Sequence, residues 1–151
     1  MLNIGDKAPD FSLVSDSGKK FGLKDFRGRN LVLYFYPKAD TPGCTVEANQ
    51  FRDTLKELAE ANTSVAGVSA DPPEALQKFR DKYQLNFPLL SDPDHKTLEA
   101  YGVWQEKNMY GKKSMGIVRT TYIIGPEGKI AHVFPRVKVE GHIQQVLDAV
   151  K

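Results

Sequence analysis

The chain has 151 residues, a formal net charge of +2, 40% hydrophobic and 26% charged residues. That length suits one globular domain, residues 1–151, whose core needs no disulfide or metal staple, and so small a charge argues against nucleic acid or an acidic membrane surface as a partner. No apolar run approaches the roughly 20 residues of a membrane span, the opening MLNIGDKAPDFSL lacks the basic-then-apolar pattern of a signal peptide, and a single cysteine fits a reducing, cytoplasmic setting.

DFSLVSDSGKKFGLKDF carries two apolar-bearing runs around Ser17-Gly18, a turn signal, and predicts an N-terminal β-hairpin within the first 27 residues. NLVLYFYP, residues 30–37, is an almost continuous β-branched and aromatic run. It predicts a central strand covered on both faces and ended by Pro37. From Thr45 to about Glu60 the spacing predicts a helix with Phe51, Leu55, Leu58 and Ala59 on one face. SVAGVSA, residues 64–70, predicts a second buried strand. Asp71-Pro72-Pro73 opens a helix running to about Tyr83, since proline is tolerated in a first turn.

NFPLLSD reads as a short strand, and HKTLEAYG as a short helix stopped by Gly102. The stretch before Arg119 reads as a loop flanked by Trp104 and Tyr110. Either aromatic packs locally or lines the entrance to a site. Lys107, Lys112 and Lys113 in that stretch read as a solvated basic cluster. RTTYIIG and KIAHVFPRV flank Pro126-Glu127-Gly128 and predict a hairpin. Ile143, Val146, Leu147 and Val150 then mark a closing amphipathic helix. Strands alternate with helices and end in an antiparallel pair plus a helix, which predicts an α/β fold with a mixed central sheet.

The chemistry centres on TPGCTVEANQ, residues 41–50, which holds the only cysteine. Cys44 falls at the start of the helix that follows a central strand. Backbone N–H groups there lack intrahelical partners and the dipole favours negative charge, so the setting favours a thiolate. Gly43 permits close backbone approach to a small ligand, and Pro42 shapes the turn. These features point to a reactive thiolate without identifying its substrate. A buried, inert cysteine is the plain alternative.

YFYPKADTPGCTVE closely resembles the peroxiredoxin signature Pro-x-x-x-Thr-x-x-Cys. Its extended form, Thr-Pro-Gly-Cys-Thr-x-Glu, resembles the bacterioferritin-comigratory-protein branch, also called peroxiredoxin Q. GDKAPDFSL resembles the family's opening, and GIVRTTYIIGPEGKI its second signature, so the likeness spans nearly the whole chain. The resemblance implies a thioredoxin-like fold, with a mixed sheet flanked by helices behind an N-terminal hairpin. It also implies a thiol-dependent peroxidase acting on hydrogen peroxide and organic hydroperoxides. Residue by residue, it makes Cys44 the nucleophile and Thr41 the hydroxyl that hydrogen-bonds the peroxide. Pro37 becomes the cover over the thiolate, Arg119 the guanidinium that stabilises thiolate and peroxide, and Glu47 the carboxylate that holds Arg119.

Those roles make physical sense. Cys44 and Glu47 are i and i+3, neighbours on one helix face, and an arginine fork can hold a carboxylate while presenting another N–H. Ionisation alone explains little. A free cysteine is already about 3% thiolate at pH 7, so full ionisation is worth at most ~30-fold, or about 2 kcal/mol. The rest of a peroxidase's advantage must come from aligning the O–O bond and stabilising charge on the departing oxygen.

Many members of the branch carry a resolving cysteine five residues after the first, or on the next helix near the position of Arg80. Here Asn49 and Arg80 stand at those places. Five residues of helix rise about 7.5 Å and turn about 140° past one revolution, whereas a disulfide needs Cα atoms within roughly 7 Å and converging side chains. A thiol at position 49 would therefore require the helix to unwind, and this chain has no such requirement. A Cys44 sulfenic acid must meet an external thiol: thioredoxin, glutaredoxin or a small thiol. A monomer is expected, or a dimer linked through Cys44 on oxidation. No cofactor is expected. His95, His132 and His142 are scattered, so no metal site is expected either. A Cys-x-x-Cys oxidoreductase is excluded because position 47 is Glu. A peroxide-sensing switch or partner-binding module, reacting without sustained turnover, is the competing class.

Overall fold

Apolar side chains on both faces of one strand need cover on both sides, and that requirement organises the fold. The computed structural model describes residues 1–151, the Met109 side chain apart. Strand β3 (Asn30–Phe35) sends Leu31, Leu33 and Phe35 into one apolar cluster and Val32 and Tyr34 into the other, as the two-residue period of a strand dictates. Around it lie β4 (Thr63–Ser69), β5 (Leu89–Ser91), β8 (Thr120–Ile124) and β9 (Ile130–Phe134). The N-terminal hairpin of β1 (Ser12–Ser15) and β2 (Lys20–Gly22) completes a seven-stranded sheet in the order β2-β1-β5-β4-β3-β8-β9. β3, β4 and β5 run parallel, while β8 pairs antiparallel with β3. This is the mixed sheet expected from the order of elements.

Helices α1 (Pro42–Glu60), α2 (Pro73–Tyr83) and α4 (His142–Val150) cover the face that carries Val32 and Tyr34, contributing Phe51, Leu58, Leu76, Phe79, Val146 and Leu147. Helix α3 (Lys96–Ala100) supplies Leu98 to the other face, where Phe11, Leu13, Tyr101 and Val103 also pack.

Three expectations need correction. Helix α1 begins at Pro42, three residues before Thr45, because Pro42 occupies the first turn, where its missing N–H costs nothing. Ala59 does not share the buried face; it is exposed, while Leu58 beside it is fully buried. The stretch before Arg119 is not a loop. It forms a separate two-stranded hairpin, β6 (Trp104–Met109) paired with β7 (Lys112–Ile117). Its polar sequence, WQEKNMYGKKSMGI, hid the alternation, because only its base joins the core: Ile117 is buried and Trp104 stacks on His95 at 3.9 Å between ring centroids. Tyr110 is fully exposed at its tip, so of the two flanking aromatics one packs and the other meets solvent.

Candidate active site

The C-terminal ends of parallel strands and the start of β8 meet at one edge of the sheet. Phe35, the last residue of β3, lies opposite Thr120, the first of β8. The chain leaving β3 therefore turns into α1 beside the residue that precedes β8. Those two neighbours are the Cys44 turn and Arg119, 75 residues apart in sequence.

Thr41 is the N-cap of α1, with extended backbone angles of −96° and 158°. The first helical bond runs from the Thr45 N–H to the Thr41 carbonyl, 2.8 Å, so the N–H groups of Gly43 and Cys44 precede the helical ladder. The Thr41 hydroxyl does not cap the helix; it donates to the Lys38 carbonyl, 2.8 Å. Its lone pairs are the part it can offer a ligand. Cys44 is a free thiol and only 2% exposed.

Arg119 bridges the two helix residues. Its Nη1 donates to Glu47 Oε1 at 2.6 Å and its Nη2 to Cys44 Sγ at 3.2 Å. The i, i+3 spacing puts both acceptors on one face, and the fork of the guanidinium spans them. Gly43 makes room for this: a Cβ there would stand 3.3 Å from Arg119 Nη2. The backbone around Arg119 is pinned on both sides. The Val137 N–H donates to the Arg119 carbonyl, and the Val118 N–H to the Val103 carbonyl, each at 2.8 Å.

Glu47 is 1% exposed, and its second oxygen, Oε2, is buried without a hydrogen-bond partner. Burial pushes its carboxyl up to about 7, against the pull of the Arg119 charge and hydrogen bond. The Glu47 and Cys44 charges hold the Arg119 guanidinium above its ordinary value despite burial, which acts to lower it. Buried Tyr34, whose hydroxyl also lacks a partner, is raised well above its ordinary value, by burial first and then by Tyr36, Glu47 and Cys44. It stays neutral at every working pH.

The loop between β3 and α1 is held from outside itself, by residues that local patterning did not reveal. Asp40 adopts a left-handed backbone, φ 59°, and accepts from Tyr83 Oη at 2.7 Å and Lys82 Nζ at 2.9 Å, both from α2. Asp71 Oδ2 accepts from the Ala39 N–H and from Ser69 Oγ, each at 2.8 Å. Asp71 before Pro72-Pro73 reads locally as a helix opening; its bond to a loop 32 residues away has no local signal.

Of the five candidate residues, Cys44, Glu47 and Arg119 are bonded together and Thr41 stands at the same helix start. Pro37 follows Tyr36 at the end of the β3 run and is exposed. Asn49 lies on α1 and Arg80 on α2, and Arg80 Nη1 grips the buried Asp16 at 2.8 Å. Among the described residues no group of three metal-ligating side chains converges, and no helix is long and apolar enough to cross a membrane. A cavity of about 510 Å³ between β1, β5 and α3 is lined by residues such as Phe11, Ser91 and Asp92 and by none of the five.

Comparison with known proteins agrees with this geometry. The model of the AhpC/TSA family matches residues 4–133. The chain is 49% identical over 146 residues to "Putative peroxiredoxin bcp" of Coxiella burnetii, covering 97% of each chain. It is 48% identical over 150 residues to "Peroxiredoxin Bcp" of Escherichia coli K12, covering 99% of this chain and 96% of that one. Among solved structures, Xanthomonas campestris peroxiredoxin Q superposes with a TM-score of 0.89 at 41% identity, covering 93% of this chain and 89% of that chain. A cysteine-to-serine mutant of Xylella fastidiosa PrxQ gives 0.93 at 37% identity, covering 98% and 94%.

Proposed function

The chain belongs to the AhpC/TSA family and is a thiol-dependent peroxidase of the peroxiredoxin Q type; from that premise we propose that Cys44 is its peroxide-reducing nucleophile. The Cys44 thiolate attacks one peroxide oxygen, the O–O bond breaks, and water or an alcohol departs. Cys44 is left as a sulfenic acid. The observation that carries this reading is the Arg119 bridge, with one N–H on the sulfur at 3.2 Å and another on Glu47 at 2.6 Å. A cation fixed there stabilises the thiolate and the negative charge that develops along the S–O–O axis. Thr41, whose proton already goes to the Lys38 carbonyl, accepts the peroxide O–H and sets its orientation. Glu47 steadies Arg119. Pro37 limits the access of water, a role that rests on its place in the family signature.

The enzyme uses peroxides and a thiol reductant. The one-cysteine route is the finer part of the reading. With one thiol in 151 residues, the sulfenic acid is reduced by an external thiol, the protein works as a monomer, and its setting is the cytoplasm. Peroxide consumption tests the whole scheme, with dithiothreitol, then thioredoxin, then glutaredoxin systems, and Cys44→Ser as the blank. Repeated turnover with at least one reductant is expected. A single stoichiometric reaction without turnover would favour the sensor instead.

A further inference from the structure

The cavity of about 510 Å³ between β1, β5 and α3 has the volume of a small-molecule pocket. Phe11, Leu13, Pro73 and Ala100 give it apolar walls. Its charged groups are mostly acidic. Asp10, Asp92 and Asp94 line it against one lysine, Lys96, whose Nζ stands 4.0 Å from Asp94 Oδ2.

Two polar groups in this wall are left unspent by the fold. The first is on Asp92, which is 1% exposed. Its Oδ2 accepts from the Leu98 N–H of α3 at 2.8 Å, while Oδ1 is buried and has no hydrogen-bond partner among the described residues. Burial, with Asp94 adding to it, raises the pKa of this carboxyl. The second is backbone. β1 meets β5 only at Val14–Ser91 and Ser15–Leu90, and β5 ends at Ser91. The Ser15 N–H donates to the Lys19 carbonyl on the β2 side, so Val14 and Ser12 direct their N–H and C=O groups toward β5. Val14 finds Ser91 there. Opposite Ser12 the strand has ended, because the chain turns at Asp92, whose carbonyl accepts from the His95 N–H at 3.1 Å. A buried carboxylate oxygen without a partner is costly, and here it belongs to the wall of a roomy, acidic cavity.

We propose that this cavity binds a small organic cation, an amine or guanidine carried on an apolar body. The cationic N–H groups donate to Asp92 Oδ1 and to the Ser12 carbonyl, and the apolar body lies against Phe11, Leu13 and Ala100. A bond between a cationic donor and a carboxylate is roughly twice as strong as a neutral one, so charge selects the ligand and the walls hold it. None of the five peroxide-site candidates lines the cavity, which makes this a second site.

Three probes share one apolar body and differ in charge: benzylamine, benzyl alcohol and benzoate. Each is titrated into the reduced, nitrogen-15-labelled protein, and the backbone amides are followed by NMR. Benzylamine should shift the amides of Ser12, Leu13 and Leu98 saturably and bind about fivefold or more tightly than benzyl alcohol, and benzoate should not bind. Asp92→Asn keeps an acceptor for the Leu98 N–H and should erase the preference for benzylamine. Ala100→Leu puts bulk on the cavity wall and should weaken benzylamine and benzyl alcohol alike. Both variants should consume peroxide at the unaltered rate, which verifies their fold. If Ala100→Leu does not fold, Asp92→Asn decides alone. No saturable shift with benzylamine, equal binding of benzylamine and benzyl alcohol, shifts centred away from these residues, or a preference that survives Asp92→Asn would each overturn the proposal.

Discussion

In the proposed mechanism Arg119 is the residue on which the chemistry turns, because one guanidinium donates to both Cys44 Sγ and Glu47 Oε1. Arg119→Ala should slow the peroxide reaction by far more than the ~30-fold that ionisation can explain. Stopped-flow rates across pH test this, and a loss wholly recovered at high pH would refute alignment and charge stabilisation as Arg119's contribution. Glu47 makes the complementary case. Its folded carboxyl sits at about 7 against an ordinary 4.5, so between those values the folded state binds the extra proton. Stability from this group is full below 4.5 and is lost as pH rises through 7. Glu47→Gln should therefore flatten the decline in urea stability between about pH 5 and 8. An identical slope in the variant would show that the burial of Glu47 carries no such linkage. The shared helix face of Cys44 and Glu47 was legible in the sequence from their i, i+3 spacing, because helix geometry alone sets it. The unpartnered Glu47 Oε2 was not, since burial is a property of the packed whole.

At the scale of elements, the loop between β3 and α1 is a short, polar segment that its own sequence does not hold. Asp71, just beyond β4, supplies the acceptor for the Ala39 N–H, and α2 supplies Tyr83 and Lys82 to Asp40. Asp71→Ala leaves Ala39 and Ser69 without their acceptor. It should lower stability by roughly 1–3 kcal/mol and slow the peroxide step by about tenfold through a looser Cys44 turn. Urea unfolding and stopped-flow rates on the same preparation separate the two effects. A destabilised variant with an unchanged rate would show that the loop keeps its geometry without Asp71. Most elements were legible from apolar period: β3 as a continuous apolar run, and α4 from Ile143, Val146, Leu147 and Val150. The β6–β7 hairpin was not legible. Between Trp104 and Ile117 its strands are mostly polar, so they carry little signal of a buried face.

For the molecule as a whole, a single thiol in 151 residues shapes the proposed cycle. Arg80, near the place where relatives can carry a resolving cysteine, instead ties α2 to the β1–β2 hairpin through buried Asp16. In the proposed one-cysteine cycle the sulfenic acid waits for an external thiol and is open to a second peroxide. Excess peroxide without thiol should therefore carry Cys44 on to gains of two and three oxygens by intact mass. A persistent gain of one oxygen, never more, would count against it. Protonation of His142 gives an opposing pH dependence. Its ring is buried, accepts from Thr121 Oγ1 and donates to Gln145 Oε1, and burial lowers its pKa. The unfolded chain then binds the extra proton, and stability falls as pH drops below about 6.5. The sequence by itself determined the α/β order of elements, the place of Cys44 at a helix start, the shared face of Cys44 and Glu47, and the count of one cysteine in 151 residues. These are local facts of period, spacing and count. Only the tertiary structure decided that Arg119 arrives within 3.2 Å of the sulfur, that Asp71 and α2 hold the loop, and that Arg80 grips Asp16. Each of those contacts joins residues on different elements, and the chain's distant parts acquire neighbours only when the sheet has formed.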